Sequence, residues 1–220
     1  MNNFLALDFE SQASFNKLAL SSNLELAEKY NFLIELTKNC ELNGIHWALS
    51  CSALLFFKGI WGDFHDFDII VAPNHRDEMT KLLVTTLGFT EEPIISDQSI
   101  YNSLSFRRFS RGKLEVELIS EWGIVGGGNA AYKYCFENNQ IDICKVSDEL
   151  SVPLMPLEAQ FALYRMLSWY QPERMVKVRL VYLYLKDRLE HPEVIVDALT
   201  QKLPNTIRAE IEELLDDSSM

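Results

Sequence analysis

Residues 62–71 read Gly-Asp-Phe-His-Asp-Phe-Asp-Ile-Ile-Val, and no other stretch of the chain restricts its fold as much. The span Asp66 to Ala72 predicts a strand, in which alternation sends Asp66 and Asp68 to one face and Phe67 and Ile69 to the other. Two carboxylates then converge where nothing apolar competes. Such a pair suits Mg²⁺, which takes octahedral oxygen coordination from one or two carboxylates, phosphates and water. The spacing alone is not diagnostic, because at ordinary composition an Asp-x-Asp arises about 0.8 times by chance in a chain of this length; two solvated acids at a strand edge satisfy it equally. A second tract, Leu114-Glu115-Val116-Glu117-Leu118, alternates strictly and puts Glu115 and Glu117 on one strand face. If the two strands are neighbours, one of these glutamates supplies a third carboxylate, and three clustered acids require a cation or a proton. The competing reading of the glutamates is the solvent-facing side of an antiparallel sheet.

The periodicity around these tracts predicts an α/β region followed by helices. Ser22 and Asn23 are candidate caps for a helix from about Leu24 to Leu42, stopped at Asn43-Gly44. Ile45 to Leu49 predicts a strand, Ser50 to Lys58 a short helix leaving its end, and Gly59 to His65 a loop. After the Asp66 strand, Pro73-Asn74 opens a helix to about Leu87. Tyr101 to Ser120 reads as a hairpin turning at Arg111-Gly112, Gly126-Gly127-Gly128 as a flexible surface loop rather than a phosphate loop, and Ile141 to Val146 as a short strand. From Pro156 onward four helices are predicted: Leu157 to Trp169, Pro172 to Glu190, Val194 to Lys202 and Thr206 to Asp216. The second, apolar on nearly every face from Val176 to Leu185, reads as buried, so Lys177 within it needs a partner or must snorkel. The expected division is an α/β domain over 1–150 and a helical subdomain over 151–220.

Charge and cysteine placement exclude several classes. Twenty basic against 32 acidic residues leave a net charge of −12, which repels a phosphate backbone and disfavours a nucleic-acid partner. Cys40, Cys51, Cys135 and Cys144 form no Cys-x-x-Cys pair, so neither a zinc site nor a disulfide framework is read. No apolar run reaches bilayer length, and Met1 to Asp8 lacks the basic start of a secretion signal, so a cytoplasmic protein without a membrane partner is expected. Oligomeric state is not legible.

The order of parts resembles the nucleotidyltransferase superfamily of DNA polymerase β type over about Leu33 to Leu87: a strand with Trp47, a small-residue turn at Ser50-Cys51-Ser52, then His65, Asp66 and Asp68. It is most similar to the aminoglycoside and lincosamide nucleotidyltransferases. The toxin-type enzymes, with Gly-Gly-Thr-Ala-Leu where this chain has Ser50-Cys51-Ser52-Ala53-Leu54, are nearly as similar. The resemblance implies a mixed sheet flanked by helices, a nucleoside triphosphate such as ATP as donor, Mg²⁺ as cofactor, and transfer of a nucleoside monophosphate to a hydroxyl of a small-molecule, antibiotic-like or protein acceptor. It assigns Asp66 and Asp68 to the metal and Glu117, with Glu115 second choice, as third carboxylate. Ser50, Cys51 and Ser52 at the turn, with Lys177 from the helical part, are implied for the nucleotide. Tyr164 and Arg165 are further candidates for the cleft, and His65 for orienting Asp66. Ser50 and Cys51 stand where relatives carry glycines that let backbone approach phosphate; a non-catalytic relative that binds a nucleotide or protein partner is the alternative.

Overall fold

The computed structural model describes residues 24–93, 100–137 and 140–217. The candidate caps Ser22 and Asn23 lie outside them. Helix α1 (Leu24–Asn43) ends at Gly44, whose φ of +63° is the left-handed turn that a side chain resists. Strand β1 (Trp47–Leu49) runs straight into α2 (Cys51–Phe57), and β2 (Phe67–Val71) returns antiparallel to β1. The helical stretch after β2 changes pitch along its length, from a 3₁₀ turn at Pro73–His75 through α3 (Arg76–Lys81) to a π-type turn at Leu82–Thr86.

Among the described residues, seven strands form one mixed sheet. Its order is β3 (Thr90–Glu92), β4 (Ser105–Arg111), β5 (Leu114–Ser120), β2, β1, β9 (Ser151–Leu154) and β8 (Asp142–Lys145). Strand β2 lies parallel to β5, whereas β4 and β5 form the expected antiparallel hairpin. A separate ribbon pairs β6 (Trp122–Val125) with β7 (Ala131–Tyr134), so the three glycines connect two strands that the sequence reading did not find. Strand β9 was also missed; it pairs with β1 and β8, so the sheet extends past the expected boundary at residue 150.

Every residue of β2 is buried, which makes it an interior strand. Its Phe67 face carries an aromatic cluster: Phe32 of α1 meets Phe67 edge-on at 4.8 Å, and Phe64 meets Phe67 at 5.3 Å. The opposite face carries Asp68. Helices α4 (Leu157–Leu167), α5 (Met175–Asp187), α6 (Pro192–Thr200) and α7 (Asn205–Asp217) complete the chain, and one apolar core runs from Leu26 to Leu214. All of α4 except Arg165 is buried. The expectation of a buried helix fails for α5, where only Val178, Val181 and Leu185 are buried while Val176 and Leu183 are 59% and 51% exposed. Helix α4, not α5, is the central one. No helix among the described residues is long and apolar enough to cross a membrane.

Candidate active site

The parallel pairing of β2 with β5 sets Asp68 opposite Glu117. Asp66, one residue before β2, shares the face of Asp68. As a result Asp66, Asp68 and Glu117 each offer a carboxylate oxygen within 4.8 Å of the others. Asp68 is only 8% exposed, and burial, reinforced by Asp66 and Glu117, pushes its carboxyl well above the usual carboxylate range. Glu117 is raised by the same causes, burial first and then Asp66, with Arg108 opposing. Glu115 is not brought into the group. It sits two residues along β5 on the exposed side and pairs with Arg108 at 3.3 Å. His65 is exposed in the preceding loop.

The turn between β1 and α2 is packed differently from an open phosphate cradle. Ser50 is fully buried, and both its N–H (2.8 Å) and its hydroxyl (3.0 Å) donate to the Asp68 carbonyl. Its hydroxyl is thereby used to tie the turn to β2. Cys51 has a φ of +52°, a left-handed conformation that costs a side-chain-bearing residue free energy. Its N–H donates to Oε1 of Gln160, a wholly buried residue of α4, at 2.8 Å. Burial, and then the charge of Asp68, push the Cys51 thiol up, and its Sγ accepts from Nε2 of Gln160 at 3.9 Å. Ser52 is buried as well.

Two cations reach the site from the start of α5. Lys177 lies with Nζ 5.1 Å from the centre of the Trp61 ring; burial lowers its pKa, with Cys51, Asp68 and Asp66 acting in the opposite sense. Arg174, which closes the short 3₁₀ turn Pro172–Arg174, lies over the Tyr164 ring at 5.3 Å and donates from Nε to Gln171. Burial alone would weaken its charge, but its surroundings, the Asp68 carboxylate among them, hold it more firmly protonated than usual. Tyr164 therefore borders the turn, whereas Arg165 points away and forks onto Glu210 of α7 at 2.7 and 2.9 Å. Tyr101, half-buried and stacked on Phe106 at 6.2 Å, stands on the Glu117 side.

Sequence reasoning missed Arg174, Gln160 and Tyr101. Arg174 precedes Lys177 by three residues, the spacing that puts two side chains on one helical face, so the signal for it was present. Nothing local marks Gln160.

No protein-family model matches the chain, and no curated protein matches it. Solved structures similar to the chain include the following two. A proposed nucleotidyltransferase from Thermotoga maritima aligns with a TM-score of 0.49 and 15% identity, covering 74% of this chain and 94% of its own. The antibiotic-resistance factor ANT(2'')-Ia aligns with a TM-score of 0.50 and 10% identity, covering 72% of this chain and 85% of its own. At such identity the likeness is one of fold, and it agrees with the mixed sheet, the flanking helices and the motif order: the chain has the nucleotidyltransferase fold.

Proposed function

We propose that the protein is a nucleotidyltransferase that moves a nucleoside monophosphate from a nucleoside triphosphate to an acceptor hydroxyl, with Asp66, Asp68 and Glu117 holding Mg²⁺. The observation that carries this reading is the convergence of three carboxylates within 4.8 Å on the inner strands of a nucleotidyltransferase fold. The donor set fits: three oxygens, no nitrogen or sulfur, and a buried Asp68 whose ionisation is opposed until a cation compensates it. Bound there, Mg²⁺ would neutralise the triphosphate and polarise the reacting phosphorus. Arg174 and Lys177, whose charges interact with Asp68, balance the remaining phosphate charge. Glu117, half-buried beside Arg108, takes the proton of the acceptor hydroxyl. The net charge of −12 suits a cationic acceptor, and a structural neighbour is an antibiotic-resistance factor, so aminoglycoside-like molecules are the first class to try.

The second reading, a non-catalytic relative that binds a nucleotide or a protein partner, is favoured by the turn. The Cys51 N–H is occupied by Gln160 and the Ser50 hydroxyl by Asp68, so neither is free for phosphate. Pyrophosphate release decides between the two, measured with each nucleoside triphosphate and Mg²⁺ over aminoglycosides, lincosamides and other hydroxyl acceptors. Turnover that disappears in Asp68→Asn supports the enzyme. Absence of turnover supports the second reading, in which a nucleotide-induced rise in melting temperature points to a bound nucleotide and no rise to a protein partner.

A further inference from the structure

The register across β2, β5 and β4 places Asp68, Glu117 and Arg108 in one row, since Asp68 pairs with Glu117 and Glu117 with Arg108. Arg108 spans two glutamates: Nε lies 3.3 Å from Glu117 and Nη2 lies 3.3 Å from Glu115. Exposure rises outward along β5, from 23% at the Glu117 side chain to 58% at Glu115. Ser110, the residue across from Glu115, is engaged elsewhere, donating to Glu92 at 2.6 Å. Glu115 thus has the guanidinium as its partner across the strands and stands outside the triad.

A guanidinium and a divalent cation compete for one carboxylate, because two positive charges on the same oxygens repel. The forked shape of arginine lets it release one acceptor while keeping another. We propose that Arg108 is a positioning residue that steadies Glu117 while no cation is bound and moves wholly onto Glu115 when a cation takes the Glu117 oxygens. Glu115 then sets cation affinity without being a ligand. This rests on the triad being a cation site.

The test is a double-mutant cycle on Mn²⁺ binding, followed by calorimetry on the full chain, with melting temperatures recorded to confirm folding; all substitutions lie on the accessible side of the sheet. Arg108→Gln should tighten Mn²⁺ about threefold, the size of effect an exposed pair produces. Glu115→Gln should weaken it about threefold, because Arg108 is left with Glu117 alone. In the Arg108→Gln background, Glu115→Gln should have no measurable effect. An equal loss in both backgrounds would make Glu115 a direct ligand and overturn the proposal, as would an Arg108→Gln protein that binds no tighter than wild type. A wild-type protein that binds no Mn²⁺ removes the triad reading itself, an outcome distinct from a failed cycle.

Discussion

Among the described residues Cys51, like Glu121 and Asn129, holds a left-handed backbone without being glycine. Its φ of +52° is ordinary for glycine and costs other residues roughly 1–2 kcal/mol. Replacing it by glycine relieves the backbone but removes a buried thiol, so the informative comparison is with alanine, which also lacks the thiol yet keeps the strain. Cys51→Gly should be more stable than Cys51→Ala by about 1 kcal/mol in urea denaturation; equal stabilities would mean that the turn relaxes. Asp68 gives the second prediction at this scale. A carboxyl whose folded pKa is raised binds its proton more tightly in the folded state, so it costs nothing below the unfolded value of about 4. Its cost grows as pH rises from there through the raised value and then levels off. Asp68→Asn should therefore gain in melting temperature relative to wild type as pH rises from 4 to 8 in the presence of a chelator. A difference that stays flat with pH contradicts the assigned shift. These carboxylates were legible in the sequence because strand alternation has period two; Gln160 was not, because a helix 109 residues away brings it to the turn.

Among elements, those with strong periodicity were read and the short ones were not. Strand β9, Ser-Val-Pro-Leu, has four residues and a proline and offers no alternation to detect, yet it lies between β1 and β8. Ribbon β6–β7 has the same problem of length. Helix α5 departs in the other direction, since its apolar composition predicts a burial that Val176 and Leu183 do not have. The ends of several elements meet at Lys58, the C-cap of α2, which is 1% exposed and bonds Asp142 of β8 at 2.8 Å and Glu190 of the α5–α6 link at 2.5 Å. His191 joins the group through Asp142 at 2.9 Å. Removing the lysine leaves two acids facing each other, so Lys58→Met should cost about 3 kcal/mol in urea denaturation. A cost below about 1 kcal/mol would show that solvent already compensates these acids.

At the scale of the whole molecule, the same nucleotidyltransferase fold emerges from the order of motifs and from ANT(2'')-Ia at 10% identity, which is what a fold held by pattern rather than by particular residues allows. The helical part was legible through Lys177 but not through Arg174, which interacts with Asp68 from the turn before α5, where α5 packs on α4. On the proposed function, the triad and the two cations of the helical part enclose a metal-bound triphosphate. A crystal structure of the protein with Mg²⁺ and a non-hydrolysable nucleoside triphosphate tests it most directly. The expected result is a cation held by Asp66, Asp68 and Glu117, with the phosphates between it and Arg174 and Lys177. A nucleotide bound elsewhere, or three carboxylates without a cation at saturating Mg²⁺, would contradict it.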